Sequence, residues 1–288
     1  MPVDLNKITA TNYHCPFGLP KELIDHILDM LNDDLRALKA CSLTCKAMFA
    51  LTRRLIHQTL GLTTPNIQSV FTRGERRLIR RERGCYRQLE LSFISSMDKH
   101  GLLQYARQVY IYMPRGLYPE SLLPRLHQFR TLNRIHTLTL ECTFFPAQEW
   151  ANYYEACFAH FYPTLTSLTL RDPYDNSKFV MRFALQFPKL ENLCLERLKA
   201  GRDFNWDWTF PTSLYHSPPL SGRLRLAGGE TLARWPVRFT PALSNGINFR
   251  TVELEDFAAN DAQRVLDACA GTLENLILVL HGDGECQL

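Results

Sequence analysis

The chain has 288 residues, of which 45% are hydrophobic and 22% charged, and its net charge is +4, from 33 Lys and Arg against 29 Asp and Glu. A chain of this length can bury most of its apolar surface without a disulfide or metal staple. Its longest aliphatic run, Leu276 to Leu280, falls far short of the roughly 20 residues that span a bilayer, so membrane, fibrous and fully disordered classes are excluded.

Residues 1–18 carry no periodicity and read as a flexible N-terminus, with neither the basic nor the apolar block of a secretory signal. Residues 19–60 read as a compact helical unit. Leu19-Pro20 precede a first helix, where proline fits because its missing N–H would be unpaired anyway. Leu23, Ile24, Ile27, Leu28 and Leu31 recur on one helical face. Asn32-Asp33-Asp34 break that pattern, and an Asp can cap the next helix. Leu35, Leu38, Cys41, Ser42 and Cys45 continue it, and a third helix is predicted from about Lys46 to Leu60. Residues 61–88 read as a linker containing Arg73 to Arg83, whose six arginines and two glutamates carry the whole net charge. The rest of the chain is neutral, so a general nucleic-acid-binding surface is not expected, and the Arg-rich segment is at most one local basic patch.

Beyond residue 89 an L-x-x-L-x-L pattern recurs. Its copies are Ile135/Leu138/Leu140, Leu165/Leu168/Leu170, Leu190/Leu193/Leu195, Phe249/Val252/Leu254 and Leu273/Leu276/Leu278. Ala106/Val109/Ile111 is weaker, and Leu220/Leu224/Leu226 has one extra residue. The central positions 109, 138, 168, 193, 224, 252 and 276 lie 24 to 31 residues apart, the period of a solenoid with one strand per repeat. Helical returns are predicted at Glu149 to Phe161, Lys178 to Phe187 and Asn260 to Ala270. Pro163 and Pro188 stop the first two before a strand.

Strand alternation sets a register. The leucines face the core. The other face carries Tyr110, Thr139, Thr169, Cys194, Arg225, Glu253 and Ile277 in one row, and Tyr112, Glu141, Arg171, Glu196, Ala227, Glu255 and Val279 in the next. Glu141, Arg171 and Glu196 would alternate in charge across neighbouring strands, as would Arg225 and Glu253. Tyr110, Tyr112, Arg171 and Arg225 are therefore candidate target contacts. Trp206 and Trp208 join them, because Phe204, Trp206, Trp208 and Phe210 alternate along the irregular stretch 199–219.

Nine cysteines, an odd number with no C-x-x-C pair, fit a reducing compartment, cytoplasmic and/or nuclear. Cys41 and Cys45 sit one helical turn apart, but no ligand cluster joins them. Phosphate-loop, zinc-protease, dinucleotide and nucleophile-elbow motifs are all missing. The expectation is a protein that is not an enzyme and needs no cofactor or metal.

The string LPKELIDHILDMLNDDLRALKACSLTCKAMF at 19–49 resembles the F-box, especially its fungal form. The resemblance rests on Leu19-Pro20-x-Glu22-Leu23, Ile27-Leu28-x-x-Leu31, Asp34-Leu35 and Cys41-Ser42-Leu43-x-Cys45-Lys46. Met48 stands where the family usually has Trp. An F-box followed by an irregular leucine-rich-repeat-like solenoid with parallel strands is the α/β architecture implied. The resemblance implies the substrate-recognition subunit of an SCF-type cullin–RING ubiquitin ligase, docking a Skp-type adaptor, and through it a cullin, by Leu19, Pro20, Ile27, Leu28, Leu31 and Leu35. Residues 89–288 would hold an unidentified target protein. The repeats depart from the family at the position three residues after the third leucine, where Thr143, Pro173, Leu198, Gly229, Phe257 and His281 replace the usual Asn or Cys. Two other readings remain: a leucine-rich scaffold not coupled to ubiquitination, and a nucleic-acid or acidic-partner binder acting through 73–83.

Overall fold

The structure, a computed structural model, describes residues 18–31, 34–63, 87–90, 97–99, 101–113, 132–142, 158–171, 183–197, 220–227, 248–255 and 259–279. The N-terminal part of the 1–18 stretch, the Arg-rich segment 73–83 and the aromatic alternation at 204–210 lie outside them.

Three helices come first: α1 (Lys21–Met30), α2 (Leu35–Ser42) and α3 (Lys46–Ile56). Pro20 caps α1, and its carbonyl accepts the N–H groups of Leu23 and Ile24. Asp34 caps α2 as its position suggests, its carboxylate accepting from Arg36 N–H and Ala37 N–H, both at 2.9 Å. The Cys45 thiol plays the same part for α3, accepting from Met48 N–H at 3.4 Å. Ile24, Leu28 and Leu38 form the buried centre, with Leu31, Cys41, Met48, Leu51 and Leu55 packed against it. Met48 is thus half-buried against the centre of the helical unit.

Among the described residues the strands form one parallel nine-stranded sheet, in the order β2-β1-β3-β4-β5-β6-β7-β8-β9. Its strands are β1 (Thr59–Thr63), β2 (Arg87–Glu90), β3 (Gln108–Met113), β4 (Thr137–Cys142), β5 (Ser167–Arg171), β6 (Asn192–Glu196), β7 (Ser221–Ala227), β8 (Asn248–Glu255) and β9 (Asn275–Val279). The first two strands occupy the two ends of the expected linker. The third helix stops at Ile56, because Thr59 to Thr63 pairs with both β2 and β3. Leu60 is thereby the first member of the inward row that continues through Val109, Leu138, Leu168, Leu193, Leu224 and Val252, all buried. Helix α4 (Ala259–Cys269) falls within a residue of the expected return. Of the other two returns, the described parts are the 3₁₀ turn Ala159–Phe161 and a helical turn at 183–185.

The predicted register holds on every strand from β3 to β9. Tyr110 pairs with Thr139, Thr139 with Thr169, Thr169 with Cys194, Cys194 with Arg225, Arg225 with Glu253 and Glu253 with Ile277. A repeated backbone device sits two residues before each central leucine. The Gln58 carbonyl accepts from Arg107 N–H and Gln108 N–H; that of Arg107 from His136 and Thr137; that of His136 from Thr166 and Ser167; and that of Thr166 from Glu191 and Asn192, all at 2.8 to 3.1 Å. The row breaks at the repeat with the extra residue. There Gly222 occupies the equivalent place at φ +94°, the pairing to β8 shifts between Gly222 and Arg223, and the Glu191 carbonyl accepts from Arg223 N–H at 2.7 Å.

Behind the sheet, the returns between β4 and β6 are knitted by rings. Phe158 meets Phe161 and Phe183 with centroids 5.8 and 5.6 Å apart, and Phe187 meets Phe183 and Tyr162 at 5.1 and 5.2 Å. Such tilted and edge-on pairs add to the burial of the rings themselves. Burying each leucine of the inward rows contributes about 1.5–3 kcal/mol, so the leucine period and this ring cluster together account for the cohesion of the sheet unit.

Candidate interaction surfaces

The first surface is the outer side of α1. The sequence offers adjacent apolar pairs, Leu23-Ile24 and Ile27-Leu28, and the fold separates them. Ile24 and Leu28 turn inward, Leu28 being 2% exposed. Leu23 and Ile27 turn outward at 44% and 40%, with Leu19 at 39% before them and Met30 at 75% after. Pro20 is exposed beside them. Leu43 in the α2–α3 turn and Phe49 on α3 are also exposed. Of the expected adaptor contacts, Leu19, Pro20 and Ile27 therefore lie at the surface. Leu31 and Leu35 are half-buried, and Leu28 belongs to the interior, where a leucine at the junction of two helices contributes more by packing than by outward contact. Leu23, Met30, Leu43 and Phe49 fall outside the expected set. Helical spacing shows a stripe wide enough to hold Leu23 beside Ile24, and only the packing of α2 and α3 decides which half turns outward.

The second surface is the sheet face opposite the leucines. Arg171 meets Glu196 at 2.6 Å, as the alternating row anticipates. Glu141, directly beside Arg171 in the register, lies 4.0 Å from Arg197, which follows β6 with a left-handed backbone at φ +54°. Glu253 is the hub of the β7–β8 end. It takes ion pairs from Arg223 and, at 3.2 Å, from Arg225, which also reaches Glu255 at 2.7 Å. The Arg225 guanidinium is held above its ordinary range, chiefly by that hydrogen bond to Glu255. The carboxylates lie deeper than their partners: Glu253 is 9% exposed at its side chain, against 50% for Arg223 and 40% for Arg225. Long guanidinium stems cover the acids and keep the charged heads wet.

This face is less open than alternation alone predicts. Tyr110, a candidate target contact, is 4% exposed, and Glu253 is also buried. Arg171 and Arg225 remain partly accessible, while the side chains of Tyr112, Trp206 and Trp208 lie outside the described residues. Cys194, between these ion pairs, has its thiol pushed up to about 12, first by burial and then by the Glu196 carboxylate.

Where the helices meet the sheet, Ser42, Phe49, Arg53, Ile56, His57 and Leu102 line an open cavity of about 250 Å³, with the Arg53 guanidinium 5.7 Å from the Phe49 ring centre. Among the described residues no three His, Cys, Asp or Glu side chains gather to hold a metal ion, and Cys41 and Cys45 belong to separate elements. No helix among the described residues is long and apolar enough to cross a membrane. No protein-family model matches the chain, and no curated protein is similar to it.

Proposed function

We propose that this chain is the target-binding subunit of an SCF-type cullin–RING ubiquitin ligase, with α1–α3 acting as an F-box that docks a Skp-type adaptor and the sheet unit acting as a leucine-rich-repeat-like solenoid that holds the target. The carrying observation is the outward apolar row Leu19, Leu23, Ile27 and Met30 on a helical unit with three buried hydrophobic residues of its own. Such a small interior supplies little stability alone, and a contiguous apolar row at the surface of so small a unit is what burial by a partner requires. Sequence adds the ordered F-box-like pieces between Leu19 and Lys46. In this reading the chain contributes proximity and orientation, and the transfer chemistry belongs to other subunits. The target-facing candidates become Arg197, Arg223 and Arg225, whose side chains are 42%, 50% and 40% exposed, with Arg171 at their margin. Tyr110 drops out because it is buried.

The test is capture of the purified chain by a Skp-type adaptor. The parent is expected to bind, and the double variant Leu23→Asp, Ile27→Asp to lose about a hundredfold or more in affinity, since two carboxylates would be desolvated at a packed interface. Both positions are exposed, so circular dichroism and thermal unfolding should match the parent. A folded parent that the adaptor does not capture would overturn the reading. Leu28→Asp is the wrong probe, because it places a charge in the helical interior and abolishes binding by unfolding.

A further inference from the structure

On strands β4 to β8 the sheet face opposite the leucines has two levels. Glu141, Glu196, Glu253 and Glu255 form the lower one, with side chains between 9% and 20% exposed. Arg171, Arg197, Arg223 and Arg225 form the upper one, at 29% to 50%. Every guanidinium of the upper level has a carboxylate beneath it. Arg171 meets Glu196 at 2.6 Å, Arg197 meets Glu141 at 4.0 Å, Arg223 meets Glu253, and Arg225 meets Glu253 and Glu255 at 3.2 and 2.7 Å. Four positive and four negative side chains sum to zero, so these eight carry no surplus charge for an anion. A guanidinium paired from below still offers its flat face and its remaining N–H groups, and it sheds water more readily than an ammonium. Beside this layer lies a floor of short side chains. Thr139, Thr169 and Cys194 stand side by side on β4, β5 and β6, each half-buried. Arg225 is the next member of that row, on β7. Arg171 follows Thr169 by two residues on the same face of β5, about 6.6 Å further along. Short side chains beside two long ones leave a step, which spans two strand spacings, roughly 10 Å, enough for one aromatic ring lying flat.

We propose that this face binds an uncharged, aromatic-bearing segment of a partner protein, one ring of which lies on Thr139, Thr169 and Cys194 against the guanidinium planes of Arg171 and Arg225. Arginine stacks on aromatic faces through its charge and its flat π system together, and the contact strengthens where water is excluded. An acidic or phosphorylated segment fits less well. It would bring its charge next to Glu196, Glu253 and Glu255, whose partners are already engaged, and like charges placed together at an interface cost binding. The assignment rests on the ligase reading only in calling that partner the target. The surface itself does not depend on what α1 docks.

The experiment is an NMR titration of the full chain with a glycine-spaced peptide carrying a fluorinated tryptophan and a tyrosine, and with the same peptide bearing glutamate or phosphoserine in place of both rings. Arginine Nε–H signals locate the contact, and the fluorine signal of the aromatic peptide gives its affinity for every variant. Saturable shifts of the Arg171 and Arg225 signals are expected with the aromatic peptide. Its affinity should change less than about twofold between low and high salt, because charges paired within the chain leave no net attraction to screen. Arg171→Lys with Arg225→Lys keeps the charges and removes both planes, and should weaken binding about tenfold. Thr169→Tyr fills the step at a half-buried strand position with a residue that strands favour, and should abolish the shifts. Arg250→Lys, in the exposed pair with Glu274, should leave binding unchanged. The proposal fails if the folded parent shows no saturable arginine shifts, if the double lysine variant binds as tightly as the parent, or if the glutamate or phosphoserine peptide moves the same signals at lower concentration. Adaptor capture, read separately, keeps the two proposals apart. Capture without peptide binding refutes this surface and leaves the ligase reading standing, and peptide binding without capture does the reverse.

Discussion

Gly222→Ala is the sharpest probe of the break in the repeat. Gly222 has φ +94°, a conformation that costs an L-residue about 1–2 kcal/mol. The site also lacks room. An added Cβ would lie 2.9 Å from the carbonyl carbon of Glu191 and closer still to its oxygen, whereas carbon atoms rest about 3.5–4.0 Å apart. That carbonyl is backbone and accepts from Arg223 N–H at 2.7 Å, so the clash is relieved only by opening a β6–β7 hydrogen bond. The opening adds about 0.5–1.5 kcal/mol, and the expected loss is about 1.5–3.5 kcal/mol in all. Gly271→Ala is the control: nothing lies within 4 Å of its added Cβ, and its φ is not positive, so it should stay within about 0.5 kcal/mol of the parent. Urea unfolding followed by far-ultraviolet dichroism reads both, with an unchanged denaturant slope showing that stability alone has moved. A loss below about 1 kcal/mol for Gly222→Ala, or one equal to that of Gly271→Ala, would refute the steric argument.

Two further outcomes follow from the charged face. Glu253→Gln should cost about 1–2 kcal/mol, because a buried carboxylate serves two arginines that themselves stay half in water; Arg250→Ala, which breaks a pair exposed on both sides, should cost less than about 0.5 kcal/mol, and equal losses in urea unfolding would count against the hub. Cys194 carries an alkaline signature: its thiol is raised from 9.0 to about 12, so the folded chain keeps a proton that the unfolded chain releases near its ordinary value. Its contribution to stability is whole below about pH 9 and is lost as the pH rises from there toward 12; Cys194→Ser should flatten that part of the decline in urea midpoints, and an unchanged slope would argue against the buried thiol.

Much of the sheet was legible because a parallel strand buried on one face repeats a strict period. Leu138, Leu168 and Leu193 announce the inward row, and the alternation then dictates that Glu141, Arg171 and Glu196 fall side by side. The extra residue of Leu220/Leu224/Leu226 is equally visible, and the fold spends it at Gly222. What was hidden had weak local signals. β1 reads Thr-Leu-Gly-Leu-Thr, only two leucines among turn-prone residues and directly behind a helix, so its pattern merges with the end of α3. β2 reads Arg-Gln-Leu-Glu and has a single apolar residue; pairing with β1 makes it a strand where local propensity does not. On α1, helical spacing reveals an apolar stripe two residues wide, but the choice between Leu23/Ile27 and Ile24/Leu28 as the inner half depends on where α2 and α3 pack. That is tertiary information, and it reverses the role of Leu28.

The junction between the two units bears on the proposed function. A long linker would let a docked helical unit wander relative to the sheet, and the gain from tethering would then follow only from effective concentration, set by linker length. Here α3 ends at Ile56, β1 starts at Thr59, and the Gln58 carbonyl between them is already the first acceptor of the repeated row, bonded to Arg107 and Gln108. Ile56, His57 and Leu102 also line the junction cavity together. A connection of two residues therefore joins the unit that carries the outward row of α1 to the sheet that carries Arg223 and Arg225. In a ligase receptor such a joint gives up reach in favour of orientation, and orientation is the larger lever when a target lysine must be presented to a fixed reactive bond. The same joint holds the helical unit, with its three buried hydrophobic residues, next to the much larger interior of the sheet through the chain itself and the backbone hydrogen bonds at Gln58.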